Sequence, residues 1–304
     1  MFRTFIFVAF ALLTVVIFGI GAAVWYFFHN PIATMEAMSR RSLRGIGCEK
    51  KSVGAPAGAV TYFTVGTGPA VVLVHGANDQ AGLWKRTIEA LKDEHEVVVL
   101  DLPGHGESEP ESGPLQFETI LGGMRAVIDK ECPDGKVILV GNSLGGWMAM
   151  LWALDNPART AGVVLENAGG VAIDYKGPSL LPKNRDEARA VVKAVLGPSA
   201  PPVPSYVLND LVRRAPSSQV ARLAAVDVNP YLLDSKLASV TFPVALVWGK
   251  DDGIATIEYA EHYRSMIPNA TLTAIPDCGH IPHNQCAAAF NEKLKEAIQA
   301  MKTP

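Results

Sequence analysis

Cysteine is scarce in this chain, and it has no basic cluster that alternates with aromatic residues; each of these features excludes a class of protein. Only four of the 304 residues are cysteines (Cys48, Cys132, Cys278 and Cys286), and their positions lack the spacing of metal ligands. We therefore expect no metal site and predict that the four thiols are free and mostly buried. The net charge is −3 and no basic cluster alternates with aromatic residues, so a nucleic-acid partner is not expected.

Charge is also absent from a long stretch near the N-terminus. Residues 4–28 are almost continuously apolar and carry no charged side chain. About 24 residues of helix reach ~36 Å at ~1.5 Å per residue, enough for a hydrocarbon layer of ~30 Å. A cleaved signal peptide is the alternative, but the apolar run continues past the small residues at 21–23 and is longer than usual. We predict an uncleaved, single-pass membrane anchor over about residues 4–28.

The residues that follow the apolar run are less distinctive. Residues 32–46 fit either a short amphipathic helix on the lipid headgroups or a solvated stalk, and we favour the stalk. Residues 50–58 contain proline and glycine and are typical of the end of a linker, so we assign residues 1–58 to the anchor and stalk. Arginines at 40, 41 and 44 favour a cytoplasmic catalytic domain, but large domains can translocate regardless. The side of the membrane is therefore left open.

Strands and helices alternate through the rest of the chain. Continuous apolar runs such as 69–75 and 96–101 are typical of strands covered on both faces, and amphipathic segments lie between them. This alternation indicates a parallel sheet with right-handed crossovers. Residues 170–239 differ, because prolines cluster there and only helical patterns lie between them. We predict an α/β fold, a mostly parallel sheet flanked by helices, with its core at residues 59–169 and 240–304 and a helical cap at 170–239.

The most informative stretch is an apolar run that ends in GNSLGG at residues 141–146. The pattern G-x-S-x-G between a strand and a helix is typical of a nucleophile elbow. A side chain at Gly141 or Gly145 would collide with the neighbouring strand or helix, and Ser143 is expected in a strained backbone conformation. Ser143 is the predicted nucleophile, and the amide of Leu144, just after it, is a predicted oxyanion donor.

Three further positions complete the predicted site. The loop after the strand at 69–75 offers a second oxyanion donor, the amide of Ala77, with Asn78 as the alternative. Asp252 and His280 each follow the end of a later predicted strand. Ligand crevices of parallel α/β sheets lie at the carboxyl ends of the strands, so we expect these residues to meet Ser143 there.

These residues make the chain similar to the α/β-hydrolase superfamily from about residue 60 onward. The matching motifs occur in the family's order: HG at 75–76, DLPGHGES at 101–108, GNSLGG at 141–146, WGKDD at 248–252 and GH at 279–280. The resemblance implies serine-hydrolase chemistry through Ser143, Asp252 and His280, with no cofactor. It also implies that the acid lies three residues after Gly249, which selects Asp252 over Asp251.

Two groups within the superfamily share features with this chain. An anchor ahead of a capped core resembles the membrane-bound monoacylglycerol lipases and esterases. The segments 141–143, 167–170 and 278–280 resemble the meta-cleavage-product hydrolases, which split carbon–carbon bonds. That second resemblance implies a substrate-binding role for Asn142. It also implies a lid arginine, for which Arg185 and Arg189 are candidates, and a tryptophan where this chain has Ile281.

We predict a membrane-anchored serine hydrolase that cleaves carboxylic esters, with monoacylglycerol-like lipid esters as the preferred class. The anchor would bring the site within reach of lipid, and Ile281 makes the surroundings of His280 apolar. The expected partners are a small-molecule ester or lipid substrate and the membrane, contacted through the N-terminal helix. Two alternatives remain: a carbon–carbon bond hydrolase of the meta-cleavage-product type, and a non-catalytic binding protein with this fold.

Overall fold

The computed structural model describes the backbone of residues 2–301 and the side chains of residues 14 and 16–301. Its strands are β1 (Glu49–Ala55), β2 (Gly58–Val65), β3 (Ala70–Val74), β4 (Glu96–Leu100), β5 (Val137–Asn142), β6 (Thr160–Glu166), β7 (Val244–Gly249) and β8 (Thr271–Ile275). Its helices are α1 (Phe2–His29), α2 (Pro31–Gly45), α3 (Lys85–Leu91), α4 (Phe117–Glu131), α5 (Leu144–Asp155), α6 (Arg185–Leu196), α7 (Ser205–Arg214), α8 (Gln219–Leu223), α9 (Asp234–Leu237), α10 (Ile257–Met266), α11 (Pro282–Gln285) and α12 (Ala287–Met301).

The strands form one eight-stranded sheet in the order β1-β2-β4-β3-β5-β6-β7-β8. The pairs β1–β2 and β2–β4 are antiparallel, and every later pair is parallel. The carboxyl ends of β3, β5, β6, β7 and β8 therefore meet at one edge of the sheet. This architecture confirms the predicted α/β class with a mostly parallel sheet flanked by helices.

Both faces of the sheet are covered, which explains the continuous apolar runs of its central strands. Successive side chains of a strand point to opposite faces. In β3, Val72 and Val74 join the cluster beneath α4, α5 and α10. Val71 and Leu73 of the same strand join the opposite cluster, which α3 and α12 cover. The polar site residues therefore lie beyond the ends of the strands, where the chain leaves the core.

The predicted linker at residues 50–58 and the segment before it pack on the domain, and this corrects only that part of our assignment of residues 1–58. Residues 50–58 contain most of β1, which pairs with β2 along its whole length. Helix α2 buries Leu43 completely in the sheet's second core cluster. Its backbone reaches the turn Ala81–Trp84, where a Cβ on Gly82 would lie 2.6 Å from the amide nitrogen of Arg40. The absence of a side chain at Gly82 therefore lets α2 pack directly onto the core.

The predicted anchor falls within α1, although the side chains of residues 4–13 and 15 lie outside the described residues. Among the residues that are described, no single helix is long and apolar enough to cross a membrane. Residues 16–29 together with α2 meet the length and composition requirement as a pair bent by 107°. The bend rests against α7, because the Phe28 and Tyr206 rings are 5.0 Å apart and Arg213 donates to Asn30 at 2.9 Å.

Residues 170–239 contain α6 to α9 and, throughout this fully described range, no strand. This segment contacts the loops at the carboxyl edge of the sheet. The Arg222 guanidinium donates to the carbonyls of Gly104, Pro110 and Gly113, and Trp147 donates to the carbonyl of Tyr231 at 2.8 Å. The position is that expected of a cap, while the boundaries at 170 and 239 stay a prediction.

Replacing Leu43 tests whether the packing of α2 stabilises the folded domain. We expect Leu43→Ala to lower the free energy of unfolding by about 2–5 kcal/mol, because it removes a fully buried side chain and leaves a cavity. Met38 on the same helix is 64% exposed, so Met38→Ala is the matched control and should change little. Chemical denaturation in detergent measures both. If both substitutions lower the free energy of unfolding by equally small amounts, α2 is a stalk and not part of the folded domain.

Candidate active site

Ser143 lies at a sharp turn between β5 and α5, in the strained conformation that the sequence predicts. Its φ is 54° and its ψ is −120°. A Cβ on Gly141 would lie 2.5 Å from the carbonyl oxygen of Gly145, and one on Gly145 would collide with the carbonyl of Val74. The Ser143 amide donates to the carbonyl of Glu166 at 3.0 Å, which fixes the turn against β6. Ser143 is partly exposed between buried neighbours.

The structure brings Asp252 and His280 together at the same edge of the sheet. His280 Nδ1 donates to Asp252 Oδ2 at 2.7 Å, and both residues are buried. Asp252 also accepts hydrogen bonds from the Asn167 side chain at 2.6 Å and from the Ile254 amide at 2.7 Å. A carboxylate with these donors holds the imidazole with its proton on Nδ1, so Nε2 is left to accept a proton.

Asn142 joins the serine turn to the histidine loop. Its buried Nδ2 donates to the carbonyl of His280 at 2.8 Å and to the carbonyl of Glu166 at 3.3 Å. Both amide protons are therefore used within the protein. The substrate-binding role implied for Asn142 stays a prediction, and the observed contacts give this side chain a positioning role beside the histidine.

The loop after β3 passes close to Ser143. A Cβ on Gly76 would lie 3.0 Å from the Ser143 Cβ, so the next residue, Ala77, is near the serine. His75 braces this loop: the Leu102 amide donates to Nε2 at 2.9 Å, and Nδ1 donates to the Gly76 carbonyl at 2.7 Å. Burial lowers the pKa of His75 well below its ordinary value, so its ring is neutral. The Ala77 and Leu144 amides as oxyanion donors stay predictions.

The cysteine prediction is wrong for two of the four residues. Cys278 and Cys286 form a disulfide that closes the loop carrying His280. Cys48 and Cys132 are free and buried, as expected, and burial raises the pKa of each thiol to about 11. Sequence separation alone could not pair Cys278 with Cys286, because the pairing depends on the fold of the loop between them.

Two other features bear on the sequence predictions. Arg185 and Arg189 are exposed on α6, and Arg189 pairs with Asp186 at 2.6 Å on the same helix. The sequence indicates no separate role for Asn167, yet its side chain donates to Asp252 at 2.6 Å and accepts from the Gly249 amide at 2.9 Å. Within the described part of the chain, no group of three or more potential ligands gathers to hold a metal ion.

The strand order and the gathering of these side chains at one sheet edge define the class of α/β hydrolases. The chain belongs to the alpha/beta hydrolase family, whose sequence model matches residues 71–293. The superfamily resemblance is thus confirmed, and with it the assignment as a hydrolase. Reaction at Ser143 stays a prediction.

Known proteins of both expected groups are similar to this chain. A 2-hydroxy-6-oxo-6-phenylhexa-2,4-dienoate hydrolase of Burkholderia cepacia is 28% identical over 262 residues, covering 74% of this chain and 86% of that protein. A monoacylglycerol lipase of Mus musculus is 24% identical over 237 residues, covering 70% of each. The crystal structure of a bacterial membrane phospholipase A aligns with a TM-score of 0.76 at 24% identity, covering 97% of this chain and 99% of that one. At this level of identity, the structural similarity shows that the two chains share a fold.

Replacing each of two adjacent acids tests the assignment of Asp252. We expect Asp252→Asn to lower kcat by roughly 10⁴-fold, on the serine-protease precedent, because the amide no longer stabilises the imidazolium or its tautomer. Asp251 is partly exposed and contacts the histidine loop through its backbone amide. Asp251→Asn is therefore the matched control and should cost little. Steady-state hydrolysis of a short soluble ester measures both, and the reverse ranking would exclude Asp252.

Proposed function

We propose that this protein is a serine hydrolase of carboxylic esters. The observation that carries the proposal is the strained Ser143 turn on the sheet edge where His280 donates to Asp252. Asn142 ties the serine turn to the carbonyl of His280, so the nucleophile and the base belong to adjoining backbone segments. A non-catalytic binding protein would not require a serine, a base and an oriented acid in this arrangement.

In the proposed reaction, Ser143 Oγ attacks the ester carbonyl carbon while His280 Nε2 takes the hydroxyl proton. The carbonyl oxygen becomes an oxyanion held by the amides of Leu144 and Ala77, each contributing about 3 kcal/mol to lowering the barrier. His280 then gives its proton to the alcohol as the ester bond breaks, which leaves an acyl group on Ser143. Water, deprotonated by His280, hydrolyses that ester and restores the serine. Asp252 stays ionised throughout and stabilises the imidazolium.

A cavity between α2 and the cap supports the proposed substrate class. One part of its lining is apolar: Ile32, Leu180, Pro182, Val191, Leu211 and Ala215. The other part is polar and includes the paired Glu36 and Arg214 together with Ser217, Ser218 and Gln219. Asn78, the residue after Ala77, lies at its wall. Helix α6 reaches from this cavity to the site, because the Val195 carbonyl accepts from the His280 amide at 2.6 Å. We propose that the hydrocarbon chain of an ester held at Ser143 passes Asn78 and occupies the apolar part of this cavity.

The proposed membrane association would favour the same substrate class. Large apolar side chains at the C-terminal half of α1 are exposed, among them Ile17, Phe18 and Trp25. Such a surface is covered when it lies in lipid. We propose that α1 anchors the protein and that α2 lies between the anchor and the hydrolase. The mouse relative is a monoacylglycerol lipase, and a monoacyl lipid ester is the substrate class we propose here.

Carbon–carbon bond cleavage is the alternative, suggested by the Burkholderia cepacia relative. A meta-cleavage product carries a carboxylate that needs a cationic partner. The candidate lid arginines, Arg185 and Arg189, are exposed, and Arg189 is paired with Asp186. Arg214 at the cavity wall is already paired with Glu36 at 3.0 Å, and an unpaired carboxylate is costly to bury. Ester hydrolysis is therefore the better supported reaction.

A comparison of two substrate classes tests this choice. Medium- or long-chain monoacylglycerols should be cleaved with a kcat/KM about 100-fold or more above that of a vinylogous 1,5-diketone acid, because an unpaired carboxylate is costly to bury. Both are measured on one detergent-solubilised preparation, and Ser143→Ala should cleave neither. A preference for the diketone acid would favour the carbon–carbon hydrolase.

Filling the cavity should change chain-length preference. Leu211→Trp would occupy the proposed path of the acyl chain, so we expect kcat/KM for long-chain esters to fall about 10-fold while acetate esters are unaffected. Asn209 is exposed on the same helix, and Asn209→Trp is the matched control. Initial rates on esters of increasing chain length measure the effect. An equal loss of kcat/KM at every chain length would contradict binding of the acyl chain in this cavity.

We also propose that the catalytic domain faces an oxidising compartment. Structural disulfides persist in oxidising environments and are rare in the cytosol, and here one closes the histidine loop. Alkylation of the unfolded protein from native membranes, followed by mass spectrometry, checks this. Cys48 and Cys132 should be labelled without reduction, and Cys278 and Cys286 only after it. Labelling of all four without reduction would place the domain on the reducing side.

A further inference from the structure

Three arginines near the end of α2 have no role in the proposed reaction. They line an open pocket together with residues of β1, β2 and the loop after β4: Ala37, Arg40, Arg41, Arg44, Gly45, Lys50, Phe63 and Glu107. This basic pocket has a volume of about 740 Å³, within the ~300–1,000 Å³ typical of small-molecule sites. It shares no lining residue with the cavity between α2 and the cap, so it is a separate candidate for a binding site.

The basic pocket carries an excess of positive charge. Four of its lining side chains are cationic and one, Glu107, is acidic, which leaves an excess of three positive charges. Lys50 pairs with Glu107, and Arg40 Nε lies 3.6 Å from Glu107 Oε1. The hydrogen bond from Lys50, together with the charges of Arg40 and Arg44, lowers the pKa of the Glu107 carboxyl, so this group is ionised at neutral pH. One carboxylate thus serves several cations, and the pocket attracts anions.

The arginines of the basic pocket are not saturated by the protein. Nε and Nη1 of Arg40 are buried, and among the described residues neither nitrogen has a hydrogen-bond partner. Arg41 and Arg44 are exposed, and within the same part of the chain neither forms an ion pair. Arginine forks match the oxygens of a phosphate group. A single phosphate in the pocket could therefore be shared by several of these side chains.

The position of the basic pocket relative to the proposed anchor indicates where the phosphate comes from. Helix α2 follows residues 16–29 after a bend of 107°, so an α1 that crosses the bilayer would direct α2 along the membrane surface. Met35 and Met38 on α2 are 59% and 64% exposed, and Arg41 follows Met38 by three positions on the same side of the helix. Exposed apolar side chains beside arginines are typical of a helix that lies in the headgroup layer.

We propose that the basic pocket, through its three arginines and Lys50, binds the phosphate of an anionic phospholipid headgroup at the membrane surface. This proposal rests on the proposed membrane association and not on ester hydrolysis. A net-negative headgroup such as phosphoglycerol complements the positive charge of the pocket, whereas a zwitterionic headgroup offsets its phosphate with its own ammonium. The bound lipid would hold α2, and with it the cavity between α2 and the cap, at the headgroup layer.

Binding of ether lipids to the full-length protein in detergent tests the proposal. Dialkyl-ether phosphatidylglycerol and phosphatidylcholine contain no carboxylic ester, so an active esterase cannot consume them. Titration with each lipid, followed by native mass spectrometry, gives the number of bound lipids and the Kd. The wild type should bind one phosphatidylglycerol about 10-fold or more tightly than phosphatidylcholine, because each basic side chain near a membrane surface contributes ~5-fold to the attraction of anionic lipid.

Three variants locate the lipid in the basic pocket, and thermal unfolding shows that each is folded. Arg41→Gln combined with Arg44→Gln should weaken phosphatidylglycerol binding about 10- to 30-fold. The matched control combines Arg125→Gln with Arg264→Gln, which removes two exposed arginines from α4 and α10, and it should bind as the wild type does. Glu107→Gln removes the carboxylate of the pocket and should tighten binding about 3- to 5-fold, a gain that a folding defect cannot produce.

The outcomes separate this proposal from the one on which it rests. A full-length protein that is not recovered with phosphatidylcholine vesicles on flotation overturns the proposed membrane association and the lipid site with it. A protein that is recovered with the vesicles but binds both ether lipids equally overturns the lipid site alone. Equal losses in the two arginine pairs, or no gain in Glu107→Gln, overturn it as well.

Inorganic phosphate distinguishes a lipid headgroup from a soluble anion. Its binding is measured as thermal stabilisation of the wild type, against sodium chloride of equal ionic strength. We expect it to bind more weakly than phosphatidylglycerol, because free phosphate is not held at the membrane surface. Tighter binding of inorganic phosphate, lost in the Arg41→Gln and Arg44→Gln combination, would assign the pocket to a soluble anion and overturn the lipid site.

Discussion

The candidate site depends on a place where three backbone segments meet without intervening side chains. The end of β5, the start of α5 and the end of β3 approach so closely that a Cβ on Gly141 or Gly145 would collide with a neighbouring carbonyl. Ser143 can hold its unfavourable φ of 54° there because the peptide groups around it are hydrogen-bonded: its amide to Glu166 and its carbonyl to the Trp147 amide. Strain of this kind persists only where the surroundings over-determine the conformation.

The histidine loop is held from several sides at once. Asp252 accepts from the His280 ring, Asn142 donates to its carbonyl, and the Val195 carbonyl of the cap accepts from its amide. The disulfide between Cys278 and Cys286 closes the same loop. His280 is thus positioned by the core, by the cap and by a covalent link. A change in the cap can therefore reach His280 directly through its backbone.

The N-terminal helices pack against the core and the cap. Helix α2 buries Leu43 in the core, and Glu36 pairs with Arg214 of α7 at 3.0 Å. The same helix forms one wall of the cavity beneath the cap through Ile32 and Glu36. Because the segment nearest the proposed anchor also borders the cavity, association with lipid and selection of an acyl chain would involve the same surface.

The elbow, the class of fold and the order of the site residues could all be read from local pattern, because G-x-S-x-G and the buried strand ends are features of short, contiguous segments. Other features depended on contacts between distant segments. The sequence of β1 does not predict a strand, because its side chains are largely exposed at the edge of the sheet and include two lysines, so that it lacks apolar alternation. Only the tertiary structure decided three features: the packing of α2 on Gly82, the pairing of Cys278 with Cys286, and the proximity of Asp79, Glu166 and His283. Each requires residues far apart in the chain, or across a folded loop, to approach within contact distance, and no periodicity along the chain encodes that approach.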